Sequence, residues 1–306
     1  MPMCVVLLIL LLWWPWPVAA QEHKSDIIDG LLSSFALPLH ELWQKKHDSE
    51  WRNLLDGLSI DGAFSYPLKK SLPQASQGRG SQGTRGGNND YIAVSLKYTP
   101  LSSWFVQTTY YRYLDADLQA PWNPDFSYSF GYDDWRPYTL SLVYANYGGN
   151  RLFPDRSQGE RWTRFDEGTL TLGWKFLVPR ALEELLVVHP TGSIGCNIGY
   201  NVTPRYVDLA SLTRQAAKQS VRLGCKYTIY EWWYVNFMLY AYPFPEQQQP
   251  WDPDFTYGFG YFDWHPGTIS IQYNNYAGNR FPWRKKSANT GTFQDGSLMI
   301  SISWSF

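Results

Sequence analysis

The feature that most constrains this chain is a long internal duplication. Residues 121–153 read PWNPDFSYSFGYDDWRPYTLSLVYANYGGNRLF, and residues 250–281 read PWDPDFTYGFGYFDWHPGTISIQYNNYAGNRF. Trp122 recurs as Trp251, 129 positions on, and the same offset carries Lys97-Tyr98-Thr99 onto Lys226-Tyr227-Thr228 and Trp104 onto Trp233. Further out, TLTLGWKF (169–176) answers MISISWSF (299–306), and SIDGAFSY (59–66) answers SIGCNIGY (193–200) more weakly. A unit of about 120 residues is too long for a solenoid repeat and suits half of a closed sheet.

Each unit divides into short segments of strict alternation. In the last, Leu298, Ile300, Ile302, Trp304 and Phe306 are apolar while Ser297, Met299, Ser301, Ser303 and Ser305 fall between them. Period 2 marks a strand with one apolar and one polar face. The same reading gives twelve strands: 58–66, 91–99, 103–113, 124–132, 138–147, 168–177, 191–200, 219–228, 232–242, 253–262, 267–277 and 297–306. Most have the length that a tilted strand needs to cross a bilayer, and twelve is even, as in single-chain bacterial barrels.

The connections separate membrane from soluble readings. Those after the first, third and fifth strands of each copy run from ten to 24 residues, and those after the second and fourth from three to five. Long loops on one side and tight turns on the other are the outer-membrane pattern, and they leave both termini in the periplasm. A soluble sandwich would carry a mainly aliphatic core face and a charged outer face. Here 16 Trp, 22 Tyr and 16 Phe make 18% of the chain, and many sit at the strand ends of the apolar face. The expected fold is therefore all-β, a 12-stranded antiparallel transmembrane β-barrel over residues 57–306, built from repeats of about 57–177 and 191–306.

Before the barrel, Cys4 to Trp14 (CVVLLILLLWW) is an apolar run too short to span, and Val18-x-Ala20 fits a signal-peptide cleavage site, so residues 1–20 read as an export signal. In 21–56 the spacing of Ile27, Ile28, Leu31, Leu32 and Phe35, then of Leu39, Leu42 and Trp43, predicts one or two amphipathic helices in the periplasm. They plug the lumen from below, lie on the inner leaflet, or simply cap the barrel. Residues 77–89, rich in Gly, Ser and Arg, read as a surface loop.

The ending SISWSF, with Phe306 closing an alternating strand, resembles the C-terminal strand of Gram-negative outer-membrane β-barrel proteins. That resemblance implies recognition by the barrel assembly machinery and an outer-membrane lipid setting. It names no narrower family, and so implies no particular activity.

The best-matched stretches of the two copies lie at strand ends. One opens a descending strand and the other closes the next ascending strand, so antiparallel pairing brings them together at the outer rim. The candidate binding residues are Trp122, Asp125, Tyr147, Asn150 and Arg151, with Trp251, Asp254, Tyr276, Asn279 and Arg280. Aromatic faces beside Asp, Asn and Arg suit a saccharide or exopolysaccharide. The competing reading is architectural, with the aromatics in an interfacial girdle and the Asp and Arg in rim ion pairs. Tyr147 and Tyr276, on the polar face, fit a girdle least well.

Inward positions are mainly Ser, Thr, Gly and Ala, with Tyr111, Tyr113, Tyr240 and Tyr242 as large exceptions. The inward charges are Lys97, Lys175, Arg222 and Lys226 against Asp61. They either focus a positive potential that favours anions or form an ion-pair cluster closing one mouth. Formal net charge is −1, so no basic field points to nucleic acid. His23, His40 and His47 precede the barrel, and His189 and His265 fall in connections on the periplasmic side, which leaves no Ser-His pair near the outer leaflet and argues against an enzyme. No metal or cofactor spacing is present. Cys196 and Cys225 fall on adjacent strands, facing lipid, near a hairpin register in which positions sum to about 419. They form a cross-strand disulfide or stand as two small apolar residues. The chain reads as an outer-membrane channel or exporter for a polar, saccharide-like solute or polymer. The alternative is a structural or surface-binding barrel with a closed lumen.

Overall fold

A computed structural model describes residues 57–69, 89–115, 123–158, 160–208, 213–249, 252–263, 265–276, 279–283 and 292–305. The export signal, the helical segment 21–56, almost all of loop 77–89, Trp122, Trp251 and Phe306 lie outside the described residues.

Twelve strands are described: β1 Leu58–Pro67, β2 Tyr91–Leu101, β3 Trp104–Tyr113, β4 Phe126–Asp133, β5 Leu140–Asn146, β6 Thr169–Leu177, β7 Ser193–Val207, β8 Arg214–Tyr230, β9 Trp233–Ala241, β10 Phe255–Tyr261, β11 Ile269–Asn275 and β12 Ser297–Ser305. Each pairs antiparallel with its sequence neighbours, and β1 pairs with β12 to close the barrel. Closure leaves no strand edge unpaired, the condition for a sheet to survive in hydrocarbon.

Directly opposed residues share a face, so the register separates the two surfaces. Ile60, Leu96 and Val106 point outward, as do Leu172, Ile271 and Ile300. All but the half-buried Ile60 are exposed, Val106 at 55% and Leu172 at 51%. A continuous apolar exterior of this extent needs an apolar solvent. Aromatic residues ring its short-turn end: Trp104 meets Tyr132 edge-on at 5.6 Å, and the duplicated Trp233 and Tyr261 repeat that contact at 5.6 Å. Trp and Tyr at this level suit a membrane–water interface. Among the described residues no helix is long and apolar enough to cross a membrane.

Two elements differ from the sequence expectation. The β7–β8 hairpin is much longer than its counterpart, with pairing continuing to Val207 and Arg214. Pro204 hides this extension in the sequence because it cannot donate to the ladder. Pairing skips Pro204, and Ala217, at the same level, takes φ 45°. The join between copies, residues 178–190, to which the alternation assigns no element, contains one short helix, α1 (Arg180–Leu186), which follows Pro179 and is rich in Leu and Glu.

Candidate functional site

The two rim motifs meet as their positions predict, but mostly to hold each other. Asp125 receives the Arg151 guanidinium at 3.2 Å and the Leu152 amide at 3.1 Å, while its own amide donates to the Asn150 carbonyl at 2.8 Å. In the second copy Asp254 receives the Phe281 amide at 3.0 Å and Gln248 Nε2 at 2.8 Å, and its amide donates to Asn279 at 2.7 Å. Arg280 donates to the backbone carbonyls of Gln249 (2.8 Å) and Asp252.

The asparagines continue this network inward. Asn150 Nδ2 donates to Asn146 Oδ1 at 3.1 Å, and Asn279 Nδ2 to Asn275 Oδ1 at 3.0 Å. Asn146 and Asn275 donate in turn to the carbonyls of Arg164 (2.8 Å) and Thr292 (2.9 Å). All four asparagines are buried. Their amides act as backbone surrogates that stitch a long loop to the rim.

That loop folds over the outside of the wall in both copies. Tyr144 and Tyr273 point outward and donate to the carbonyls of Phe165 and Phe293, at 2.6 Å each. The same rings stack on those phenylalanines at 4.3 and 4.4 Å. Gly168 and Gly296 make room, since a Cβ at either would strike the tyrosine hydroxyl. Sequence reasoning passed over these residues, although FDEG (165–168) and FQDG (293–296) match at corresponding places.

Tyr147 and Tyr276 behave differently from the rest of their motifs. Each follows an outward asparagine, so each turns toward the lumen, and they remain 64% and 61% exposed there. Enclosure by the wall raises the Tyr147 phenol above its ordinary value, and the Arg222 cation opposes that shift. Enclosure likewise raises Tyr276, with further contributions from Tyr240, Tyr91 and Tyr147. Tyr91, which sequence reasoning left aside, stands beside Tyr111 and Tyr113 at 5.6 and 5.7 Å.

The inward charges divide into three kinds. Lys175 is spoken for by Asp133 at 2.7 Å, and Asp61 accepts from Ser303. Lys97 sits over the Phe105 ring at 5.1 Å, and its repeat Lys226 over Tyr234 at 4.4 Å and Phe262 at 5.3 Å. Arg222 forms no ion pair among the described residues, and its Nε has no hydrogen-bond partner. Lys97 and Lys226 are thus held by aromatic faces, which leave their charge unneutralised. Hydroxyls and amides fill the wall between, with Ser95 and Thr109 at 2.8 Å and Thr171 donating to Asn201 at 2.8 Å.

At the short-turn end, Asp134 is buried beneath Arg136. Burial pushes its carboxyl up, but hydrogen bonds from the Arg136 side chain and backbone, with the charges of Arg136 and Lys175, outweigh it and hold the group below the usual carboxylate range. The duplicated Asp263 is also lowered, first by the His265 amide and then by its ring, at 2.6 Å. His189 bonds Thr191 at the same end. Cys196 and Cys225 are directly opposed and joined by a disulfide, with Cα atoms 4.1 Å apart. The register sums to 421 rather than 419, which settles the alternative that the sequence left open.

A closed antiparallel barrel with an apolar exterior, aromatic rings and a polar lumen defines an outer-membrane-type transmembrane β-barrel. No family model and no curated protein matches the chain. It is similar in shape to an outer membrane channel from Pseudomonas putida F1, at 9% identity and TM-score 0.35, over 84% of this chain and 98% of that one. It is also similar to a mutant of Rh. blastica porin, at 11% identity and TM-score 0.26, over 82% of this chain and 74% of that one. These are likenesses of shape, and the functional reading rests on the chain's own residues.

Proposed function

We propose that the chain is an outer-membrane diffusion channel for a polar, saccharide-like solute, with both termini in the periplasm. One observation carries the reading: Tyr147 and Tyr276 project into the lumen and stay largely accessible, in a wall of hydroxyls, amides, further tyrosines and unneutralised cations. Small polar side chains give a passing solute hydrogen-bond partners without filling the barrel. Aromatic faces add stacking for the apolar faces of sugar rings. Unpaired Lys97, Lys226 and Arg222 favour anions over cations.

The rim takes a smaller part in this reading than its degree of repetition suggests. Asp125, Asp254, Asn150, Asn279, Arg151 and Arg280 are engaged with the loops, so solute contact falls to Tyr147 and Tyr276, with Trp122 and Trp251 as further stacking faces. The closing strand serves as the signal to the barrel assembly machinery. Purified protein reconstituted in planar bilayers should give discrete anion-favouring conductance steps. Silence, even after deletion of 21–56, would refute a channel and favour a structural barrel. Unchanged sugar uptake by a Trp122→Ala, Trp251→Ala variant would remove the tryptophans from the path.

A further inference from the structure

The two copies are not equivalent inside the lumen. Tyr147 repeats as Tyr276, Tyr111 as Tyr240 and Lys97 as Lys226, all 129 positions apart, but Arg222 falls on Ala93. The duplication thus supplies a symmetric frame and places one cation on one side of it. In β8, Arg222 lies between Gly199 of β7 and Tyr240 of β9. Its stem rests on the glycine: a Cβ at Gly199 would meet Arg222 Nε at 2.8 Å and Cγ at 3.1 Å. Gly199 in turn pairs directly with Gly173 of β6. The two adjoining glycines lend no side chains to this part of the wall, so the Arg222 stem lies over Gly199 and the Ser141 side chain of β5 over Gly173.

This arrangement is built for an anion. A guanidinium offers a planar fork of donors that matches a carboxylate in two-point contact. Arg222 finds no carboxylate among the described residues, and its Nε is buried without a partner, a situation that costs free energy unless a ligand relieves it. The phenols of Tyr147 and Tyr276 supply exposed aromatic faces at the rim above it. Deeper toward the short-turn end, Lys97 and Lys226 continue the positive path, each on its aromatic shelf.

We propose that Arg222, Tyr147 and Tyr276 form a selectivity site for sugar acids, with the guanidinium taking the carboxylate of a uronic-acid residue and the phenol faces taking its ring. This rests on the channel reading and names the class of solute. The probes are trigalacturonate, neutral maltotriose and benzoate, applied as blockers of single-channel current in planar bilayers. Trigalacturonate should block at roughly tenfold lower concentration than maltotriose, the factor expected of one charge-assisted pair. Arg222→Gln should remove that advantage and lower the anion preference of the steps that remain. Arg222→Lys, which keeps the charge and loses the fork, should restore it only in part. Tyr147→Ala with Tyr276→Ala should weaken block by both sugars. A conducting channel in which R222Q leaves trigalacturonate block unchanged overturns the proposal, and benzoate blocking as well as trigalacturonate overturns its sugar part. If the wild type never conducts, the channel reading fails separately. Calorimetric binding of trigalacturonate to the folded barrel then decides: binding lost in R222Q upholds the site, and no binding to the wild type overturns it. Heat-modifiable migration of each variant verifies that it is folded.

Discussion

Replacing Asn275 by alanine separates an architectural rim from a ligand-binding one. Asn275 is fully buried, and its Nδ2 lies 2.9 Å from the Thr292 carbonyl, 3.1 Å from Tyr273 Oη and 3.2 Å from Tyr257 Oη. Its Oδ1 accepts from Asn279 Nδ2 at 3.0 Å. Alanine leaves the Thr292 carbonyl without that donor, and leaves the Asn279 amide only a 3.5 Å contact to the backbone of residue 275. A stranded buried polar group costs about 1–3 kcal/mol. Two such groups, with the Tyr273–Phe293 stack still holding the loop, give a loss of about 2–4 kcal/mol. Urea unfolding in lipid vesicles, followed by tryptophan fluorescence, reads this directly. Asn275→Ala with Asn279→Ala should cost less than the sum of the single changes, because the second removes the amide that the first strands. Channel current should change little in either. A loss below about 0.5 kcal/mol, the range of an ordinary surface substitution, would refute the reasoning, as would additivity. Tyr276→Ala supplies the contrast, with little lost stability and an altered current.

Three further outcomes test other parts of the structure. A Cβ at Gly260 would drive into the Ile271 carbonyl, a backbone atom that cannot step aside. Gly260→Ala should therefore cost about 3 kcal/mol or more and collapse the folded fraction on unboiled gels; a wild-type yield would contradict the packing. Cys196→Ser with Cys225→Ser opens a bridge between residues 29 apart, worth at most about 3–4 kcal/mol by loop closure. Stability should fall and current should not, since the pair faces outward; a changed current would place the bridge in the solute path. The Asp134 carboxyl is lowered, so its contribution is present above the ordinary carboxylate value of about 3.9 and is lost as pH falls through the depressed value. The stability gap between wild type and Asp134→Asn should be full at neutral pH and shrink below about pH 4. A gap of constant size would show that Arg136 does not act through the charge of Asp134.

The barrel was legible because membrane and lumen impose opposite demands on alternate residues, so β12 shows its two faces in every pair from Ser297 to Trp304 but Met299–Ile300. The duplication then supplied the strand count and the meeting of the two rim motifs. What the sequence could not disclose was the direction in which polar groups at the strand ends are satisfied. Asn146 and Asn275 look like ligand-binding amides in a Tyr- and Gly-rich motif. They face outward and are buried only because loops from more than fifteen positions away fold onto them. Alternation also misses a strand that runs through a proline, which is why the β7–β8 hairpin emerged longer than expected. The disulfide turned on a register difference of two in the positional sum, finer than strand ends read from pattern can fix.

Repetition and function therefore separate in this chain. The residues that repeat most faithfully, Asp125 with Asp254 and Asn150 with Asn279, anchor loops to the wall, a task that both halves of a duplicated barrel share. A two-fold frame lines its lumen with matched tyrosines and lysines, and alone it presents the same surface to a solute from both sides. A solute held against one wall in a fixed orientation needs a departure from that symmetry. Arg222 opposite the glycine pair of β6 and β7 is such a departure, where the first copy has Ala93 instead. An Ala93→Arg variant tests the principle by restoring the symmetry. It should strengthen anion preference but add little to uronate block, because the first copy has Ala63 where the second has Gly199, and so lacks the glycine on which a second guanidinium stem could rest. Position 93 faces Ala63 on one side and Tyr111 on the other. Equal gains in anion preference and in uronate block would show that charge alone, and not the bed it lies on, sets the selectivity.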